Sequence, residues 1–152
     1  MPLDPSGHLP VSVMRFDAES GMSHVMRAFW GNGMSMKRGY EWLHIRRGKP
    51  LRDVDARVLA WAVQAPPDWL AERLFVVSGL ADDRRLRLGA RQFSAASLLN
   101  GRSARVCPHC LSEFGFCDLT WSFKLAPVCG KHKVPYLGAC VVSVQFSHLD
   151  SS

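Results

Sequence analysis

Cys107-Pro108-His109-Cys110 is followed, after 18 residues, by Cys129-Gly130-Lys131-His132. Each tetrapeptide is a knuckle, in which two metal-binding side chains are separated by two residues. Because both side chains of such a knuckle can reach one ion at about 2.0–2.3 Å, two knuckles can complete a closed tetrahedron. We therefore predict that one structural zinc ion is bound by Cys107, Cys110, Cys129 and His132.

The segment between the knuckles has to bring the chain back to the first one. Its apolar residues Leu119, Trp121, Phe123 and Leu125 alternate with polar ones, which is typical of a strand with one apolar face. A hairpin would bring the chain back, but one this small has little apolar core to stabilise it. A structural zinc ion can supply the missing stability, because it contributes roughly 10–16 kcal/mol to folding. We therefore expect a small zinc-stapled β module at residues 106–140.

The sequence of the first knuckle also fits a second function, thiol–disulfide exchange. Cys-Pro-His-Cys is also the active-site sequence of strongly oxidising thioredoxin-fold enzymes, in which the pKa of one thiol is depressed. That fold needs a long region of helices and strands after the motif, whereas 42 residues follow Cys110. A thiol–disulfide oxidoreductase is therefore the less favoured alternative. A zinc deaminase is disfavoured too, because no His-x-Glu motif precedes the cysteines.

Four other cysteines and histidines in this half need a separate interpretation. His109 lies between two predicted ligands and is expected at the surface. Cys117 and Cys140 are expected to be small buried hydrophobic residues. Together with His148 they could form a second metal site, although no second paired knuckle accompanies them.

Composition and charge describe a globular chain with a basic surface. Hydrophobic residues make up 47% and charged residues 21% of the 152 residues, which excludes a disordered chain. The net charge of +6 and the pI near 9.4 favour a polyanionic partner such as nucleic acid. Neither a membrane span nor a signal peptide is recognisable. We therefore expect a cytoplasmic, nucleoid-associated protein without membrane contact, in which cysteines stay reduced.

The N-terminal half has the spacing of amphipathic helices. Ser20 can cap a first helix, the glycines of Gly31-Asn32-Gly33 can end it, and Ser35 can cap a second one. Two short helices joined by such a tight turn form a helix–turn–helix unit. The apolar face of the first helix is expected to consist of Met22, Val25, Met26, Phe29 and Trp30.

Two more helices are predicted farther along. Asp53 opens the third, and the proline pair Pro66-Pro67 ends it and starts the fourth, which we expect to continue to Gly79. The inner face of the third helix is expected to carry Val54, Val58, Trp61 and Ala62.

The stretch from Arg84 to Arg105 contains six arginines and no acidic residue, and its periodicity is weak. We predict a helix–turn–helix-like region at 1–83, a basic linker at 84–105, a zinc-finger module at 106–140 and a tail at 141–152. The fold class is then mainly α with a small zinc-stapled β module. Since cationic groups can neutralise phosphates, the candidate nucleic-acid-binding residues are Lys37, Arg38, Arg46, Arg47, Arg84, Arg85, Arg87 and Arg91.

Three segments together resemble a known family. They are residues 19–27 with the turn Gly31-Asn32-Gly33-Met34-Ser35, the first knuckle within residues 105–111, and Trp121 followed by the second knuckle, Leu137 and Cys140. In this order they resemble the TniQ/TnsD family of transposon target-selection proteins, over roughly residues 16–140. Members of that family usually continue with a second paired knuckle, whereas Cys140 is followed here by Val141-Val142-Ser143-Val144.

The resemblance implies a helix–turn–helix region joined to zinc fingers. It also implies a non-catalytic adaptor that links a target element to a transposon AAA+ ATPase and, indirectly, to the transposase. In the family that element is either specific DNA or an RNA-guided CRISPR effector. A stand-alone zinc-containing DNA-binding regulator stays open as an alternative, and a homodimer is one option for the assembly.

Overall fold

The computed structural model describes residues 7–78, 85–93, 106–122 and 128–136. The chain divides into two compact units, Met1–Ser94 and Ala95–Ser152. The elements of the first unit are α1 (Gly21–Gly31), α2 (Met36–Trp42), α3 (Asp53–Ala62), α4 (Pro67–Ala71), β1 (Phe75–Ser78), β2 (Arg85–Leu88) and β3 (Arg91–Phe93). Those of the second unit are α5 (Pro108–Phe114) and a 3-10 turn (Leu119–Ser122).

The first two helices and the turn between them form where the sequence predicts them. Ser20 Oγ accepts a hydrogen bond from the backbone N–H of Ser23, and Ser35 Oγ accepts one from that of Arg38. Such caps satisfy backbone donors that have no partner inside a helix. The Asn32 side chain closes the turn by donating to the carbonyl oxygens of Ala28 and of Val11.

The core of the first unit is built on Phe29, which is fully buried with Leu59 and Leu70. Helix α2 approaches α1 so closely that a Cβ atom on Gly39 would lie 2.6 Å from Cζ of the Phe29 ring. Glycine at this position therefore allows the two helices to pack.

Helix α3 begins at Asp53 as predicted, and Ala62 of its predicted inner face is buried, but the prediction was wrong for Val54 and Trp61. The side chains of Val54 and Trp61 are 47% and 50% exposed, whereas Leu59 is fully buried. Helix α3 is apolar on more than one side, so periodicity alone did not identify the stripe that faces the core. The buried residues are Asp55, Ala56, Leu59, Ala60 and Ala62.

The fourth helix is shorter than predicted, and strands follow it. Helix α4 ends at Ala71, and β1 begins at Phe75, where aromatic and β-branched residues favour extended backbone. Strand β1 pairs antiparallel with β2, and β2 pairs antiparallel with β3. The turn between β2 and β3 has Gly89 at φ +60°, a conformation that glycine adopts readily.

The prediction of a linker was wrong for Arg85–Leu88 and Arg91–Phe93, which form β2 and β3. Arg85-Leu86-Arg87-Leu88 alternates charged and apolar residues with the period of a strand, a pattern that the concentration of arginine obscured. Leu88 is buried on one face of the sheet. The rest of the predicted linker, residues 94–105, lies outside the described residues.

In the second unit, the strand predicted between the knuckles was wrong for the residues that the structure describes there. Residues Leu119–Ser122 form a 3-10 turn, in which the carbonyl of Asp118 accepts a hydrogen bond from the N–H of Trp121. This turn buries the Trp121 ring, which alternation would have placed on a strand face. Phe123 and Leu125 lie outside the described residues. The fold class is confirmed as mainly helical with a small antiparallel sheet, although that sheet belongs to the first unit.

Among the described residues, none of the helices is long and apolar enough to cross a lipid bilayer.

Candidate metal centre

The first knuckle is held by the start of α5. Cys107 is the N-cap residue, and its Sγ accepts a hydrogen bond from the backbone N–H of Cys110 at 3.5 Å. Pro108 occupies the first helical turn, where a missing N–H costs nothing. One helical turn therefore places both thiols on the same side of the chain.

The second knuckle is a tight turn with the same internal hydrogen bond. Cys129 Sγ accepts the backbone N–H of His132 at 3.4 Å. The turn is closed by hydrogen bonds from the N–H of Lys133 to the carbonyl of Cys129 and from the N–H of Cys129 to the carbonyl of Val134, both at 2.9 Å. Lys133 adopts φ +57°, which reverses the chain just after His132.

The two knuckles bring their four ligand atoms together, all within 4.8 Å of one another. His132 Nδ1 lies 3.2 Å from Sγ of Cys110, 3.6 Å from Sγ of Cys107 and 3.7 Å from Sγ of Cys129. The sulfurs of Cys110 and Cys129 are 3.6 Å apart. A tetrahedron with metal–sulfur bonds of about 2.3 Å and a metal–nitrogen bond of about 2.0 Å has edges of about 3.5–3.8 Å. The four residues can therefore hold one metal ion.

The pKa values of Cys110 and Cys129 in this cluster are shifted in opposite directions. The backbone N–H of His132 is the main cause that lowers the pKa of Cys129 to about 6. Burial is the main cause that raises the pKa of Cys110 to about 12. Neighbouring thiolates repel one another, so full ionisation of the cluster is unfavourable without a cation. A divalent ion reverses this, because thiolates are its ligands.

A small apolar shell surrounds the cluster. Val106 and Cys107 are almost completely buried and Trp121 is 5% exposed. The rings of Trp121 and Tyr136 pack at 6.3 Å between centroids. This shell excludes water from the sulfurs on one side, as expected for a closed structural site.

Glu113 is part of the site, although the sequence reasoning did not single it out. Its Oε2 lies 3.1 Å from Nε2 of His132, and its Oε1 accepts a hydrogen bond from Nζ of Lys131 at 2.7 Å. The hydrogen bond from Lys131 is the main cause that lowers the pKa of Glu113. No spacing rule links α5 to the second knuckle, so only the folded arrangement reveals this contact.

The other cysteines and histidines of this half are arranged differently. His109 is exposed, and its ring centroid lies 5.3 Å from that of His132. Cys117 is partly buried and packs against the apolar shell. Cys140 and His148 lie outside the described residues.

The predicted nucleic-acid-binding residues differ in their surroundings. Arg87 forms an ion pair with Asp53. Arg84 lies outside the described residues. Those with exposed side chains are Lys37, Arg38, Arg46, Arg47, Arg85 and Arg91.

Comparison with known proteins identifies the family. The model of one protein family, TniQ, matches residues 10–135. This range covers most of the chain and includes helices α1 to α5 and both knuckles. No curated protein matches the chain. The resemblance found in the sequence is thereby confirmed: the chain belongs to the TniQ family, whose role is target selection in transposition.

Proposed function

We propose that this protein is a non-catalytic adaptor for target-site selection in DNA transposition. It would link DNA or an RNA-guided CRISPR effector to a transposon AAA+ ATPase, and through the ATPase to the transposase. The observation that carries the proposal is the TniQ match over residues 10–135, which encloses the helix–turn–helix unit and the four converging ligands.

The ion in the metal centre is proposed to be zinc. Three thiols and one imidazole are a donor set typical of structural zinc sites, and the ligand spacing suits a tetrahedral ion. Four protein ligands leave no position open for a water molecule or a substrate. The ion would therefore stabilise the fold of the second unit and take no part in catalysis.

Contact with nucleic acid is proposed for the first unit. Lys37 and Arg38 lie in the first turn of α2, and Arg46 and Arg47 lie in the loop after it, all with exposed side chains. Within the part of the chain that the structure describes, these four side chains have no acidic partner. Unpaired cations are the groups that replace counterions on a phosphate backbone. Arg87, which is neutralised by Asp53, is a weaker candidate.

A transposition assay tests the adaptor role. Donor DNA, the transposase and the AAA+ ATPase of the same element would be supplied with or without this protein, and insertion sites would be mapped by sequencing. We expect insertions to concentrate at the target only when the protein is present, and the ATPase to be retained on the tagged protein in a pull-down. An unchanged distribution of insertions would contradict the proposal.

The same purified proteins and DNA distinguish an adaptor from a stand-alone regulator. Tight, sequence-specific DNA binding by the isolated protein, without retention of the ATPase, would favour the regulator.

A further inference from the structure

The two ring nitrogens of His132 face different groups. Nδ1 is directed at the three sulfurs, at 3.2–3.7 Å, while Nε2 lies 3.1 Å from a carboxylate oxygen of Glu113. Glu113 comes from the last turn of α5, whose first turn supplies Cys110. One helix thus contributes a thiol to one side of the site and a carboxylate to the other.

We propose that Glu113 is a positioning residue for the metal centre, which fixes the His132 ring and makes Nδ1 its metal-binding nitrogen. This inference rests on the metal site proposed above. A carboxylate only accepts hydrogen bonds, and a neutral imidazole carries one N–H. Beside Glu113 that hydrogen belongs on Nε2, which leaves the lone pair of Nδ1 directed at the sulfurs. The other tautomer would direct an N–H at the metal position and a lone pair at the carboxylate.

The carboxylate is itself held from two sides. Lys131 donates to Oε1 of Glu113, and the Lys131 ammonium lies 4.4 Å from the centroid of the Phe114 ring. Residues 131 and 132 therefore bind the two oxygens of one carboxylate, which links α5 to the second knuckle independently of any ion. The link would hold the His132 ring in its metal-binding orientation in the folded unit, and this lowers the cost of ordering that ligand.

The competing interpretation is an ordinary surface ion pair. Glu113 and Lys131 are 46% and 53% exposed, and pairs of this kind contribute little to stability. The interpretations differ in which partner matters. A surface pair depends on Lys131, whereas the positioning role depends on the contact between Glu113 and His132.

Measurements of metal affinity distinguish the positioning role from an ordinary surface ion pair. The full chain and its E113A, E113Q and K131M variants would be titrated with Co²⁺, followed by the absorption of the thiolate complex, and Zn²⁺ affinity would be measured by competition with a chelator. We expect E113A to bind Zn²⁺ about 10–100-fold more weakly than the unmodified chain. E113Q keeps an oxygen acceptor and should recover most of that loss. K131M removes one support of the carboxylate but keeps its contact to His132, so it should weaken binding clearly less than E113A does.

A second readout reports the tautomer directly. Long-range ¹⁵N–¹H correlation spectra of the zinc-loaded chain should show His132 with its hydrogen on Nε2 and Nδ1 bound to the metal, and E113A should shift part of the population to the other tautomer, in which Nε2 binds the metal. A role confined to stability would leave this ratio unchanged.

Three results would overturn the inference. E113A with unaltered affinity and tautomer would exclude the positioning role, and so would K131M with a loss as large as that of E113A. An unmodified chain that binds neither Co²⁺ nor Zn²⁺ would remove the metal site itself, a failure distinct from the other two.

Discussion

His132 Nδ1 lies 3.2 Å from Sγ of Cys110, although 22 positions of sequence separate the two residues. The buried residues described around them are few, with Val106 and Trp121 the main ones besides the cysteines. A unit with so little apolar surface needs another source of stability. We propose that a shared ion supplies it by joining the two knuckles.

Replacement of one ligand should abolish the site. We expect Cys129→Ser to lose stoichiometric zinc binding, because a hydroxyl is a much weaker ligand for this ion than a thiolate. Cys117→Ser is the matched control, since Cys117 packs against the cluster but is not among its four ligands. Zinc content measured on both purified variants checks the prediction. Equal zinc in the two would contradict it.

Metal removal should affect the two units unequally. The N–H groups of Leu111 and Gly115 are hydrogen-bonded at the two ends of α5, and the N–H of Val63 is hydrogen-bonded at the end of α3. Under a strong zinc chelator we expect peptides from residues 106–122 to lose protection from hydrogen exchange, because their folding is coupled to metal binding. Peptides containing Val63 should keep theirs. Loss of protection in both regions together would show that the metal stabilises the whole chain.

The first unit depends on a buried ion pair. The Glu19 carboxylate is fully buried, and it accepts hydrogen bonds from Nε of Arg27 at 2.7 Å and from the hydroxyl of Ser23 at 3.0 Å. Arg27→Ala would leave this charge unpaired, so we expect a loss of about 3–5 kcal/mol in the free energy of unfolding. Urea denaturation measures it. Arg57→Ala, at an exposed position of α3, is the control and should change stability by less than about 0.5 kcal/mol.

The same carboxylate predicts a dependence on pH. Burial raises the pKa of Glu19, but the neighbouring His24 imidazole, 3.6 Å from Oε2, and the hydrogen bonds from Arg27 and Ser23 outweigh burial and leave the pKa below its usual value of 4.5. A group with a lowered pKa in the folded state stabilises the protein above its unfolded pKa, and this contribution is lost as the pH falls through the folded value. Glu19→Gln should therefore be less stable than the unmodified chain at neutral pH, and the difference should shrink below pH 4.5. A constant difference across this range would contradict the assignment.

The contact between α1 and α2 leaves no room for a side chain at position 39. We expect Gly39→Ala to lower the free energy of unfolding by about 1–3 kcal/mol, because its methyl group would overlap the fully buried ring of Phe29. This exceeds the gain of up to about 1 kcal/mol that alanine brings to a helix. Gly31→Ala is the matched control, since its methyl group would lie 3.4 Å from Val13, an ordinary contact. Thermal unfolding of the two variants should rank Gly39→Ala below Gly31→Ala, and the reverse order would be inconsistent with the close packing.

Features that depend on residues close together in the sequence could be predicted from it, whereas features that depend on distant residues could not. The caps at Ser20 and Ser35 and the ligands of both knuckles follow from groups only a few residues apart, and local chemistry identifies them. The face of α3 that carries Leu59, and the pairing of β1 with β2, depend on partners far along the chain. Glu113 belongs to this second class, because its role appears only when α5 and the second knuckle meet.

The most direct test is to count metal ions in the protein as purified. Elemental analysis of the full chain should find one zinc per chain, and a chelator that removes it should unfold the second unit, with recovery when zinc is returned. A chain that contains no zinc, binds none when it is added, and keeps the same fold in excess chelator would contradict the metal centre on which the proposed adaptor depends.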